Sequence, residues 1–101
     1  MAYIVIEHSC SNSESDPMRV EPIGESIDVI ALFRAGQITP VKLRWRERVH
    51  KVSKVNGWWT SEEGAVRICH FAVTFESSDV YELTYRERTH AWRIERVSLD
   101  T

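Results

Sequence analysis

TPVKLRWRERVHKV, Thr39 to Val52, decides the fold class: a Trp and a run of Lys and Arg side chains sit on an apolar/polar alternation that doubles back on itself. From Pro40 to Arg46 the period is two. Val41, Leu43 and Trp45 face one way and Lys42, Arg44 and Arg46 the other, as on a half-buried strand. Arg48 to Val55 returns as a second leg. There Val49 and Val52 stand three apart, so burying both requires a bulge near His50-Lys51 or a twist of the strand. The stretch reads as a β-hairpin with one face in a core and a basic face in water.

Outward from the hairpin the same pattern recurs. Val66 to Phe75 sets Cys69, Phe71, Val73 and Phe75 against Ile68, His70, Ala72 and Thr74, and Val80 to Tyr85 sets Tyr81, Leu83 and Tyr85 against Val80, Glu82 and Thr84. Ser77-Ser78-Asp79 joins them as a hairpin loop. After a turn near Glu87-Arg88-Thr89, Ala91–Val97 puts Trp92 and Ile94 on one face. Ahead of the hairpin, Ile27 to Phe33 (IDVIALF) fits a helix capped by Ser26 and stopped by Gly36, or a strand lined by Ile27, Val29, Ala31 and Phe33. Its β-branching and the Ala35-Gly36 turn favour the strand. Met18 to Ser26 reads as irregular because Pro22 and Gly24 disfavour a central strand, Asn56-Gly57 reads as a turn, and Trp58-Trp59 with TSEEG as the entry to a loop. The expected fold is all-β, a small antiparallel meander curling into a barrel-like or rolled, strongly twisted sheet of about five to seven strands.

The chain has 101 residues, 43% hydrophobic and 28% charged, which is enough for one domain with its own core. Residues 1–26 read as an N-terminal strand or arm plus a flexible Ser-rich linker, and 27–101 as a single β domain. The run Tyr3 to Glu7 suits an extra strand, an arm toward a neighbouring subunit, or an irregular segment. No apolar run approaches the roughly 20 residues of a membrane helix, and Met1 to Ile6 lacks the pattern of a signal peptide, so a cytoplasmic domain with no membrane association is expected. In that compartment Cys10 and Cys69 are expected as separate reduced thiols rather than a disulfide. Net charge is −2, without the basic excess of a dedicated nucleic-acid binder. It is divided into blocks, however: −4 over residues 1–39, +5 over 40–60, −4 over 61–85 and +1 over 86–101.

The segments VIALF (29–33), GQITPVKLRW (36–45), RERVHKV (46–52), VYELTY (80–85) and AWRIERV (91–97) resemble a family of small uncharacterised bacterial domains. They are also similar to the C-terminal accessory segment of ImuB-type proteins, the inactive relatives of Y-family DNA polymerases. The resemblance covers roughly seventy residues of mostly structural motif. It implies the β fold and an association with DNA repair. Where such sequences carry Gly at the hairpin tip, this one has Glu47, which leaves the turn type open.

No constellation points to catalysis or to a metal. His8 and Cys10 would share a strand face, but Cys69 and His70 would point to opposite faces, and no CxxC or HxxxH spacing exists. The carboxylates Glu62, Glu63, Glu76, Asp79 and Glu82 fall in loops and solvent faces, and four glycines supply no phosphate loop. What stands out is the basic face: Lys42, Arg44 and Arg46, then Arg48, Lys51 and Lys54, with Trp58 and Trp59 nearby. Guanidinium forks there suit phosphates and an exposed indole suits base stacking. Equally, the acids of 61–85 are positioned to pair with these bases across the sheet. Basic and acidic blocks on one small domain favour docking to a protein partner or a second copy over nucleic acid. The expectation is a non-enzymatic interaction module without cofactor or metal, with a DNA-repair-associated nucleic-acid-binding accessory domain using the hairpin 42–54 as the alternative.

Overall fold

The computed structural model describes residues 19–99. They form seven strands: β1 (Arg19–Arg34), β2 (Gln37–Trp45), β3 (Arg48–Lys51), β4 (Lys54–Glu63), β5 (Val66–Thr74), β6 (Val80–Arg86) and β7 (Ala91–Leu99). All neighbours are antiparallel, in the order β3-β2-β1-β7-β6-β5-β4. The all-β meander read from the alternation is the observed fold, and Ile27–Phe33 is strand. Among the described residues no helix is long and apolar enough to cross a membrane.

Two switches of partner roll the sheet. Along β1, Arg19–Ile27 pair with β7, whereas Asp28–Arg34 pair with β2 on the opposite edge. Between β3 and β4 the chain does the same within two residues: the Val52 N–H donates to the Val41 carbonyl (2.9 Å) and the Ser53 N–H to the Thr74 carbonyl (2.9 Å). The outermost strands of the sheet, β3 and β4, are therefore consecutive in the chain. No ladder joins them, so the sheet is rolled without being closed. The part made of β2, β3 and the second half of β1 folds over the part made of β4 to β7, and the apolar faces meet between them. Leu43, Phe71, Val73, Leu83 and Ile94 are almost fully buried there, with Ile27, Phe75, Tyr85 and Trp92 around them.

Local departures from the alternation have local causes. Met18 lies outside the described residues; Arg19 to Ser26 are the first half of β1 rather than irregular chain. Pro22 is tolerated because this half pairs on one side only, and the bulge between Pro22 and Glu25 is turned by Gly24 at φ 67°. A register shift opposite Ile30/Ala31 resets β2, so that Pro40 is buried and Val41 is out in solvent, not inside with Leu43 and Trp45. On β3 the inward residue is His50, paired with Leu43, and Val49 is exposed; no bulge buries both valines. Asn56-Gly57 is a bulge inside β4, and that strand continues through Trp58, Trp59 and on to Glu63. The turn comes later, at Gly64.

Both hairpins of the small layer close with two-residue turns whose central residues have positive φ, the requirement of a type I′ turn. Ala35 and Gly36 lie at 53° and 77°, and Arg46 and Glu47 at 53° and 63°. The tip without Gly keeps the same turn because Arg46 is held from outside. Its guanidinium donates twice to Glu25, at 3.1 and 2.7 Å, and lies 4.6 Å over the Trp45 ring.

Candidate interaction face

The register divides the expected basic site among several surfaces. Three rows cross the outer face of β1, β2 and β3: Asp28–Arg44–Val49, then Ile30–Lys42–Lys51, then Leu32–Thr39. Directly opposed residues in an antiparallel pair point to the same side. Lys42, Arg44 and Lys51 consequently share one surface with Ile30 (62% exposed), Leu32 (48%) and Val49 (59%), and the bulged Val41 is exposed beside them. A shallow depression lies over Ile30, Lys42, Arg44 and Val49.

The other expected residues lie elsewhere. Arg46 serves the hairpin tip. Arg48, opposite Trp45, sits at the end of an inward row. Lys54 pairs with Thr74 on the outer side of the larger layer. Trp58 is opposite Phe71 on the inner side of β4, and Trp59 is opposite His70 on the outer side, stacked on its ring at 5.1 Å and 10°. The two indoles therefore point to opposite faces of one strand, and neither joins the basic rows.

The basic side chains also have partners other than the acids of 61–85. Arg44 meets Asp28 across the β1–β2 ladder at 3.4 Å, with both side chains exposed. Arg46 meets Glu25, whose second neighbour is the Trp45 indole N–H at 2.8 Å. The hydrogen bonds from Arg46 and then Trp45 hold the Glu25 carboxyl below the usual carboxylate range. Of the acids of 61–85, Glu63 with Arg86 at 2.9 Å and Glu82 with Arg96 are used on the larger layer, while Glu76 lies 3.7 Å from His50 on β3. Among the described residues Lys42 and Lys51 make no ion pair, and they stand side by side.

One polar cluster escaped sequence reasoning. On the outer side of β4, β5 and β6, Ser61 Oγ lies 2.7 Å from His70 Nε2, and His70 Nδ1 lies 2.9 Å from Glu82 Oε2. Arg96 takes the other Glu82 oxygen. Burial pushes the Glu82 carboxyl up, but the His70 hydrogen bond and the Arg96 charge outweigh it, so it stays below its ordinary range. The connectivity is that of a serine–histidine–carboxylate relay. Its members are diagonal cross-strand neighbours, a spacing visible only once the register of three strands is known. His8 and Cys10 lie outside the described residues, and among those described no group of three His, Cys, Asp or Glu side chains is arranged to hold a metal ion.

No family model, curated protein or solved structure matches this chain.

Proposed function

We propose that the protein is a non-enzymatic interaction module that docks a protein partner on the outer face of β1, β2 and β3. The observation that carries this reading is the company Lys42 and Lys51 keep. Two cations that make no ion pair among the described residues lie among four exposed aliphatic side chains, Ile30, Leu32 and Val49 on adjoining register rows and Val41 at the bulge beside them. Isolated exposed aliphatics are ordinary, whereas a cluster rimmed by charge marks a contact surface. The partner it suits carries carboxylates flanking apolar side chains.

Charge argues for such a partner over a second copy. The face carries Lys42, Arg44 and Lys51 against Asp28 alone, so two copies meeting through it about a two-fold axis would set one net positive surface against another, which is unfavourable. Nucleic acid is less well served, since Arg44 and Arg46 are engaged by Asp28 and Glu25 and the basic rows hold no aromatic ring for base stacking. Against an enzymatic reading, the Ser61–His70–Glu82 relay sits on an open sheet face, where it works as a hydrogen-bonded ladder across three strands.

A photo-crosslinking amino acid at Val49, introduced in cells that make the protein, tests the reading. The expected product is one discrete protein adduct that disappears in the Lys42→Glu/Lys51→Glu variant. A product with the mass of two copies, a nucleic-acid adduct, or an adduct indifferent to the charge reversal overturns it.

A further inference from the structure

The roll leaves one corner open, and there the inner layer is accessible. The first residues of β2 form a ladder with β1 only, and β4 forms one with β5 only, so these two strand edges face each other without pairing. A cleft of about 220 Å³ lies between them. Cys69 and Phe71 line its inner side, Ile38 and Val55 its flanks, and the Trp58 ring borders it. These are the surroundings of an apolar ligand.

At the same cleft stand two charged side chains, Arg67 and Glu87. Glu87 is already engaged, accepting the Cys69 S–H at 3.7 Å. Arg67 makes no ion pair among the described residues. Glu87 keeps its charge but is turned onto Cys69, so the group positioned to meet a ligand is the Arg67 guanidinium, whose fork matches a carboxylate. A cavity of about 150 Å³ holds benzene, so this cleft has room for one ring and a short chain.

We propose that the cleft is a binding site for a small aromatic carboxylate, with its ring against Trp58 and Phe71 and its carboxylate on Arg67. The site lies in the interior of the roll and does not depend on the outer-face reading.

Titration of the full chain with phenylpropionate, followed by residue-resolved NMR, tests it. Saturable shifts are expected at Thr39, Thr60, Cys69 and the Trp58 indole. Arg67→Gln, a surface change that leaves the core intact, is expected to weaken binding roughly tenfold, as is replacing the ligand by neutral phenylpropanol. Thr60→Phe, which fills the cleft from β4, is expected to abolish binding while the β7 resonances keep their native dispersion. Absence of saturable shifts, shifts confined to the outer face, or equal affinity in Arg67→Gln overturns the proposal.

Discussion

Glu25 and Arg46, 21 residues apart in the chain but joined by two hydrogen bonds at 3.1 and 2.7 Å, fix the tip of the β2–β3 hairpin. The same carboxylate accepts the Trp45 indole N–H at 2.8 Å. One acid thus holds a turn residue with positive φ and the half-buried indole next to it. Glu25→Ala is expected to speed hydrogen exchange at the Trp45 indole and to broaden the resonances of Arg46 and Glu47, leaving β5 to β7 unchanged. Unaltered indole exchange would show that the tip holds itself.

Burial separates residues that a simple alternation treats alike. Leu83 and Val41 are both aliphatic strand residues, yet Leu83 is completely buried and Val41 is 43% exposed. Leu83→Ala is expected to cost about 2–5 kcal/mol in chemical denaturation, and Val41→Ser to stay within about 0.5 kcal/mol. A large loss from Val41→Ser would place that side chain in the core and contradict the register shift in β2.

Acid should loosen the larger layer. The Glu82 carboxyl has a folded-state pKa below its unfolded one, despite burial, because of His70 and Arg96. Such a group contributes stability that is present above the unfolded carboxylate value and lost as pH falls through the folded one. Glu25 is shifted in the same direction and adds to the trend. Stability is expected to fall below roughly pH 4.3, the ordinary glutamate value, and Glu82→Gln should flatten that decline. An acid limb identical in the variant would rule out Glu82 as its source.

The Ser61–His70–Glu82 relay offers a direct check on the non-enzymatic reading. A fluorophosphonate, which labels serines activated for attack, is expected to leave Ser61 unmodified, and Ser61→Ala should change only local hydrogen bonding. Stoichiometric labelling that requires His70 would contradict the proposed function.

Much of this architecture was legible because the core-facing residues of β5, β6 and the first half of β7 recur at a period of two, so Phe71 and Val73, Leu83 and Tyr85, and Trp92 and Ile94 declare their face by period. The misread positions depend on neighbours far away in the chain. Pro22 and Gly24 look like strand breakers, but the first half of β1 has one partner and a bulge to accommodate them. Asn56-Gly57 carries a turn signal that pairing with β5 absorbs into a bulge. The basic residues were visible, while their partition was not: which bases are engaged depends on Asp28 and Glu25, brought opposite by the β1–β2 register and by the turn at Arg46. The adjacent Trp58 and Trp59 suggest one aromatic site, and the pleat sends them to opposite faces.

On the function proposed above, the apolar and basic outer face of β1, β2 and β3 receives an acidic protein surface. Residue-resolved NMR of the full chain, titrated in parallel with a short peptide alternating Asp with Leu and with a single-stranded oligonucleotide at physiological salt, tests it most directly. Peptide-induced shifts are expected at Ile30, Leu32, Lys42, Val49 and Lys51, lost in Lys42→Glu/Lys51→Glu, with little response to the oligonucleotide. Tighter binding of the oligonucleotide at these same residues, or no peptide response there, would contradict it.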